Sequence, residues 1–129
     1  MFVWDSMKNK IILADNKDVM KDIPDKFFEL AIVDPPYGIN MDSGLDSVYS
    51  NSLKGKTFSI KKRFEKKSWD STSPDEKYFK ELFRISQNQI IWGGNYFTEF
   101  LKPTNAWIFW HKKITNATST KFSDGEMAW

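Results

Sequence analysis

Short apolar runs along the chain are separated by polar stretches that carry Gly, Pro, Asn and Asp. Four runs have the length and the Ile, Val and aromatic content that favour strands; they cover residues 10–14, 28–33, 88–92 and 106–110. Residues 122–129 are either a fifth strand or a stretch where the chain simply runs out. The run at 28–33 shows no alternation of apolar and polar positions, so we predict a strand that is buried on both faces. Two prolines, Pro35 and Pro36, cannot continue a central strand, and the chain therefore leaves the sheet there.

Helical patterns lie between these runs. A brief helix is expected from Lys17 to Ile23, where Pro24 stops it. The pair Gly93-Gly94 predicts a tight turn, after which Asn95 can cap a short helix that continues through Leu101.

The clearest helix start lies at Ser73. Ser73 is a suitable N-cap, Pro74 suits the first helical position, and Glu76 completes a capping box three residues after the cap. Apolar residues then recur on one helical face; they are Tyr78, Phe79, Leu82, Phe83 and Ile85.

Strands that alternate with helices predict an α/β fold with a largely parallel sheet. The 129 residues are enough for a single domain, which we expect to span residues 1–129 with a flexible loop at about 39–72. Ligands of such folds bind beyond the carboxyl ends of the strands. Asp15, Asp34 and Gly93 all fall at such ends.

The composition excludes several kinds of site. There is no cysteine, so disulfides, thiolate zinc sites and cysteine nucleophiles are excluded, and a single histidine argues against a histidine-rich metal centre. We therefore expect no metal site. No apolar stretch reaches the roughly 18 residues of a membrane span, and the first residues lack the pattern of a signal peptide. A cytoplasmic location is expected.

Basic charge is concentrated in one segment. Residues 54–67 hold seven Lys or Arg and a single acidic residue, although the net charge of the whole chain is only +2. The basic residues are Lys54, Lys56, Lys61, Lys62, Arg63, Lys66 and Lys67. Such a segment can bind DNA phosphates and release counterions. It can equally be a solvated loop, and the pattern does not choose between the two.

The tetrapeptide Asp34-Pro35-Pro36-Tyr37 offers a distinct chemistry at a strand end. Proline fixes its own φ, so the Asp34 carboxylate and the Pro35 carbonyl form two rigidly held acceptors. A planar NH2 group has two donors to match them, and the phenol ring of Tyr37 adds a surface on which a flat ring can stack. If the amino nitrogen attacks an electrophile, positive charge develops on it and its two hydrogen bonds to these acceptors become stronger. The acceptors therefore stabilise the transition state more than the ground state.

Asp34-Pro35-Pro36-Tyr37-Gly38 resembles motif IV of the DNA amino-methyltransferases that act on adenine N6 or cytosine N4. Four further segments resemble the permuted, β-type group of that family. They are Ile12 to Asp15, which resembles the segment that contacts the cofactor, Ile90 to Phe97, Trp107 to Lys112, which looks like the next strand, and Phe122 to Trp129.

This resemblance implies a partial Rossmann-like methyltransferase domain that uses S-adenosylmethionine and DNA. Asp15 and Asp34 would contact the cofactor. Asp34 and Pro35 would accept the amino hydrogens of a base flipped out of the duplex, with Pro36 keeping the turn rigid and Tyr37 stacking on the ring. Aspartate at the first position favours adenine N6 over cytosine N4. Two other readings remain open: methylation of a protein glutamine, and a non-catalytic nucleic-acid-binding module.

The family's Phe-x-Gly-x-Gly cofactor turn does not occur in these 129 residues. We therefore expect a truncated or split enzyme that needs a C-terminal half or a second subunit. On its own the chain is expected to bind the cofactor weakly and to methylate poorly. An incomplete sheet would also leave an exposed edge, through which the chain could self-associate.

Overall fold

The computed structural model describes residues 7–39, 70–112 and 125–129. In chain order the elements are helix α1 (Asn16–Lys21), strand β1 (Phe28–Val33), helix α2 (Glu76–Ile85), strand β2 (Ser86–Ile91), a 3₁₀ helix (Gly94–Tyr96), strand β3 (Ile108–His111) and strand β4 (Gly125–Ala128). The described residues form a mixed α/β structure, as the alternating pattern predicted.

Two strand pairs make up the sheet structure. β1 and β2 are parallel, with Val33 opposite Ile91, whereas β3 and β4 are antiparallel. A bridge between Trp92 and Ala128 links the two pairs. Ile91 and Trp129 also exchange backbone hydrogen bonds of 2.9 and 3.0 Å. The prediction of parallel pairing is thus confirmed for β1 and β2 only.

Helix α2 supplies four of the buried apolar side chains in the described part of the chain, more than any other element. Its buried side chains, Tyr78, Phe79, Leu82 and Ile85, recur at helical spacing and pack on one face of the β1–β2 pair. Ala31 and Val33 face this core, while the alternate residues of β1, Leu30 and Ile32, are 47% and 63% exposed. Our prediction that β1 is buried on both faces is therefore wrong for the part of the chain that the structure describes, because α2 covers one face alone.

The start of α2 differs from the sequence prediction. Asp75 is the N-cap, and its Oδ1 accepts a hydrogen bond of 3.0 Å from the backbone N–H of Tyr78. Ser73 and Pro74 lie before the helix, so the predicted cap and first helical position are wrong. Aspartate is as favourable an N-cap as serine. Asp75 is the cap here because the backbone N–H of Tyr78 lies within hydrogen-bonding distance of its side chain.

Three other predicted elements need correction. Residues 10–14 are not a strand: within the described ranges no strand pairs with them, and Ile11 and Leu13 are fully exposed. α1 ends at Lys21, two residues earlier than predicted. Asn95 does not cap a helix, because the 3₁₀ helix starts directly after Gly93 without a side-chain cap. The strands predicted at 88–92 and 106–110 occur with shifted bounds, and the fifth strand forms within 122–129.

Arg84 ties α1 to α2. Its guanidinium donates hydrogen bonds of 2.7 Å to the carbonyls of Met20 and Ile23, which lie at the end of α1, and it pairs with Asp25 and Glu81. The carbonyls at a helix end lack partners within the helix, so a cation there satisfies them and complements the helix dipole. No helix in the described ranges is long and apolar enough to cross a membrane.

Candidate functional site

The Asp-Pro-Pro-Tyr segment follows β1, at the carboxyl end of the parallel strand pair. Asp34 is exposed, Pro35 is buried, and Pro36 and Tyr37 are partly buried. The Oδ1 atom of Asp34 accepts a hydrogen bond of 2.6 Å from the phenol of Tyr37. Among the described residues Asp34 forms no ion pair. Its carboxylate is therefore at the surface and oriented by the tyrosine three residues later.

The turn after β2 lies directly beside this segment. The backbone N–H of Trp92 donates a 2.9 Å hydrogen bond to the carbonyl of Val33, and the N–H of Gly93 donates one of 2.8 Å to Met127. These bonds extend the pairing one step beyond the strand ends. They hold Gly93 next to the residues that follow Val33.

Gly93 lies against the ring of Tyr37. A Cβ atom at Gly93 would be 2.2 Å from Cε1 of the ring and 2.7 Å from both Cδ1 and Cζ. This Cβ position is equally far from Cδ1 and Cζ, the two ring atoms bonded to Cε1, and is only 2.7 Å from each. It therefore lies over the face of the ring and not beyond its edge. Gly93 also has φ +67°, a conformation that favours glycine. Two independent features therefore require glycine at this position.

Aromatic side chains complete the surroundings of Tyr37. Its ring stacks on that of Tyr96, with centroids 4.9 Å apart and planes inclined by 14°, and it makes a tilted contact with Phe97. Tyr96 is 50% exposed, whereas Phe97 is buried in the core. The stack therefore extends from the core to the surface. A planar heterocycle could join it from the exposed side.

Asp70 holds the backbone of the same turn. Its Oδ1 accepts hydrogen bonds of 2.8 Å from the N–H of Tyr37 and 3.0 Å from the N–H of Gly38. The side chain is only 2% exposed. Sequence reasoning missed this residue, since 33 positions separate it from Tyr37 and no periodicity links the two.

The environment of Tyr37 keeps its phenol protonated. Burial raises the pKa of Tyr37 above its ordinary value, and the hydrogen bond to the Asp34 carboxylate adds to the rise. A neutral phenol is needed to donate the hydrogen bond to Asp34. The orientation of Asp34 therefore persists across the whole neutral pH range.

The structure does not bring Asp15 into this cluster. Asp15 is the exposed N-cap of α1, where its Oδ1 accepts a 2.8 Å hydrogen bond from the N–H of Lys17. It lines a polar groove between α1 and α2. The segment just before it, with Ile12 and Ala14, lines an apolar groove of about 390 Å³ beside β1. That volume falls in the range of small-molecule sites.

The seven basic residues predicted to bind nucleic acid, from Lys54 to Lys67, lie outside the described residues. The chain passes out of the described part after Ile39 and re-enters it at Asp70. Because Asp70 bonds to Tyr37 and Gly38, both ends of this connection lie beside the candidate site.

Comparison of the chain with protein-family models, with curated proteins and with solved structures found no significant match. The function must therefore be inferred from the site itself. What the geometry offers is an exposed carboxylate with a fixed orientation, a rigid Pro-Pro turn and a stacked aromatic surface. This combination can accept hydrogen bonds from a flat, uncharged molecule that carries an amino group.

Proposed function

We propose that this chain carries the base-binding site of an S-adenosylmethionine-dependent DNA methyltransferase that acts on adenine N6. The observation that carries the proposal is the short bond between Asp34 and Tyr37, at the carboxyl end of a parallel strand. It leaves an oriented carboxylate at the surface next to an aromatic ring. A partial Rossmann-like fold, of which the β1–β2 pair and the packed helix α2 would be a part, belongs to the same proposal.

The role of each residue follows from its chemistry. Asp34 and the Pro35 carbonyl accept hydrogens from the amino group, while Pro36 limits the motion of the turn. Loss of electron density from the amine strengthens these bonds, so they stabilise the transition state most. The rings of Tyr37 and Tyr96 provide the stacking surface, which is worth roughly 1–3 kcal/mol per base. A duplex base would have to be flipped out to reach it.

The apolar groove beside β1 fits the cofactor proposal. The residues on its rim, Ile12 and Ala14, belong to the segment predicted to contact S-adenosylmethionine, and Leu30 and Ile32 form part of its wall. Asp15, at the end of that segment, lines the polar groove between α1 and α2 instead, so its contact with the cofactor stays a prediction from the sequence. When bound, the cofactor would supply an electrophilic sulfonium methyl group: the new N–C bond would form as the S–C bond breaks, a neutral thioether would leave, and the amine would lose one proton to water.

DNA as the partner is supported by charge and by position. Seven of the chain's 19 Lys and Arg residues belong to the short segment 54–67. The two ends of the connection that contains this segment flank the candidate site. Phosphate binding by these residues would bring the backbone of a substrate close to Asp34 and Tyr37.

The proposal can be tested with single-stranded DNA, which needs no base flipping. The binding of three short oligonucleotides that differ at one base should be compared. The variable base is adenine in the first oligonucleotide and purine, which lacks the amino group, in the second. In the third it is N6,N6-dimethyladenine, which has no amino hydrogens. Hydrogen bonds to charged groups contribute about 1.5–3 kcal/mol. We therefore expect adenine to bind at least about tenfold more tightly than either analogue.

Asp34→Ala should abolish this preference, and Glu29→Ala is a control because Glu29 is also an exposed acidic residue of the same region. Methyl transfer from radiolabelled S-adenosylmethionine to unmethylated DNA supplies the second measurement. Equal binding of all three oligonucleotides would refute the base-binding site. Salt-sensitive binding without any base preference would instead support a non-catalytic nucleic-acid-binding module. Methyl transfer to cytosine rather than to adenine in the second measurement would support N4 methylation.

A further inference from the structure

We propose that Asp70 is a positioning residue of the candidate site: its carboxylate sets the backbone of the turn that carries Tyr37. This inference rests on the proposed function, because it concerns how the base-binding surface is held. It assigns to Asp70 no contact with the base. Asp70 acts through the backbone of Tyr37 and Gly38.

Asp70 binds the backbone of the turn from a buried position. One carboxylate oxygen accepts from two consecutive backbone N–H groups, at 2.8 and 3.0 Å, from a side chain that is 2% exposed. Burial of a carboxylate is costly unless it is hydrogen-bonded. Bonds to an ionised acceptor are about twice as strong as neutral ones. The turn at Tyr37 therefore has one strongly preferred backbone arrangement.

The segment that follows Asp70 packs against the same turn. Gly38 has φ +73°, and a Cβ atom there would be 3.0 Å from the backbone nitrogen of Ser73. Thr72 and Ser73 thus lie close to the backbone of Gly38, where a side chain would be both tightly packed and in an unfavourable backbone conformation. The contact and the two hydrogen bonds together fix where the chain goes after Tyr37.

Tyr37 is consequently held at three points: its N–H by Asp70, its hydroxyl by Asp34 and its ring by Gly93. Tyr96, by contrast, has no side-chain hydrogen bond to the other described residues and is half exposed. Loss of the Asp70 bonds would release the backbone end of Tyr37. The carboxylate of Asp34, which is bonded to the phenol, would then lose its orientation as well. Small displacements of this kind reduce the discrimination of a site strongly.

The test uses the whole chain and three variants. Asp70→Ala removes the acceptor, Asp70→Asn retains one oxygen with the same reach, and Asp22→Asn is a matched control at an exposed position. The first measurement is the pair of backbone amide resonances of Tyr37 and Gly38 in ¹H–¹⁵N NMR spectra, with their hydrogen-exchange rates. The second is the binding preference for the adenine oligonucleotide over the N6,N6-dimethyladenine oligonucleotide.

In Asp70→Ala we expect both amides to shift and to exchange at least tenfold faster, and the preference for adenine to fall from about tenfold to less than threefold. Asp70→Asn should recover part of both effects, which a purely structural defect would not explain. Asp22→Asn should behave like the wild type. If Asp70→Ala does not fold, the same measurements on Asp70→Asn decide, with intermediate values expected.

Wild-type preference in Asp70→Ala, or unchanged amides of Tyr37 and Gly38, would disprove the role of Asp70 and leave the proposed function intact. Lack of any adenine preference in the wild-type chain would disprove the proposed function, and the positioning role with it. The two failures are therefore distinguishable.

Discussion

The ring of Tyr37 lies over the α-carbon of Gly93, although 56 positions separate the two residues in the sequence. Contact this close is possible because Gly93 has no side chain and has φ +67°. The turn after β2 thereby forms the floor of the candidate site. Tyr37 cannot shift toward the sheet without a collision with the backbone.

Gly93→Ala should therefore destabilise the protein and displace the ring. The new methyl group would be 2.2 Å from Cε1 of Tyr37 and would occupy a left-handed backbone conformation. We expect the free energy of unfolding to fall by about 1–3 kcal/mol. Chemical denaturation measures this loss, and the NMR signals of the Tyr37 ring report the displacement. Asn95→Ala, at an exposed neighbouring position, should leave both unchanged.

Ile85 at the end of α2 and Ile32 of β1 provide a matched comparison of an isoleucine in the core and one on the open face of β1. Ile85 is 4% exposed within the core beneath α2, whereas Ile32 is 63% exposed. Ile85→Ala should lower the free energy of unfolding by about 2–5 kcal/mol. Ile32→Ala should change it by roughly 0.5 kcal/mol. Equal losses for the two variants would mean that the open face is covered in solution.

The open face also predicts self-association. Leu30 and Ile32, on the open face of β1, are 47% and 63% exposed. Exposed apolar side chains on one face of a strand favour contact with another molecule. We expect the apparent mass in light scattering to rise with protein concentration. Ile32→Lys should suppress the rise, whereas Lys77→Ala, at an exposed position on α2, should not.

The cap of α2 should contribute to stability in a pH-dependent way. The backbone hydrogen bond from Tyr78 lowers the pKa of the Asp75 carboxyl below 3.8. A lowered pKa in the folded state means that the contribution is present above about pH 4 and is lost as the pH falls below it. Asp75→Asn keeps a capping side chain without the charge. Its denaturation midpoint should vary less than that of the wild type between about pH 5 and pH 2.

At high pH the buried phenol of Tyr78, together with that of Tyr37, should lower the stability of the fold. Burial raises its pKa from 10.0 to about 12. The neutral form is favoured in the fold, so this contribution is complete below pH 10 and is lost as the pH rises toward 12. Tyr78→Phe should flatten the decline of stability over that interval. Absorbance of tyrosinate at 295 nm should show one tyrosine fewer titrating near pH 12 in this variant; an unchanged titration would contradict the assignment.

Local patterns in the sequence identified most of the elements but not their surroundings. The apolar run at 28–33, the helical face from Tyr78 to Ile85 and the turn at Gly93 all occur in the structure. Each depends on neighbours within a few residues, and such preferences can be inferred from periodicity and turn chemistry. The N-cap at Asp75 was missed because several residues near the start of a helix can act as its N-cap, and only the backbone geometry of the folded chain decides which one does.

The chemistry of the candidate site can be read from local sequence: an aspartate, two rigid prolines and a tyrosine follow an apolar strand. Tertiary structure decided how these residues are used. The Asp70 carboxylate, the Gly93 backbone and the Tyr96 ring reach Tyr37 from segments that are distant along the chain. Long-range contacts of this kind leave no periodic signal, because they depend on where the folded backbone brings separate segments together.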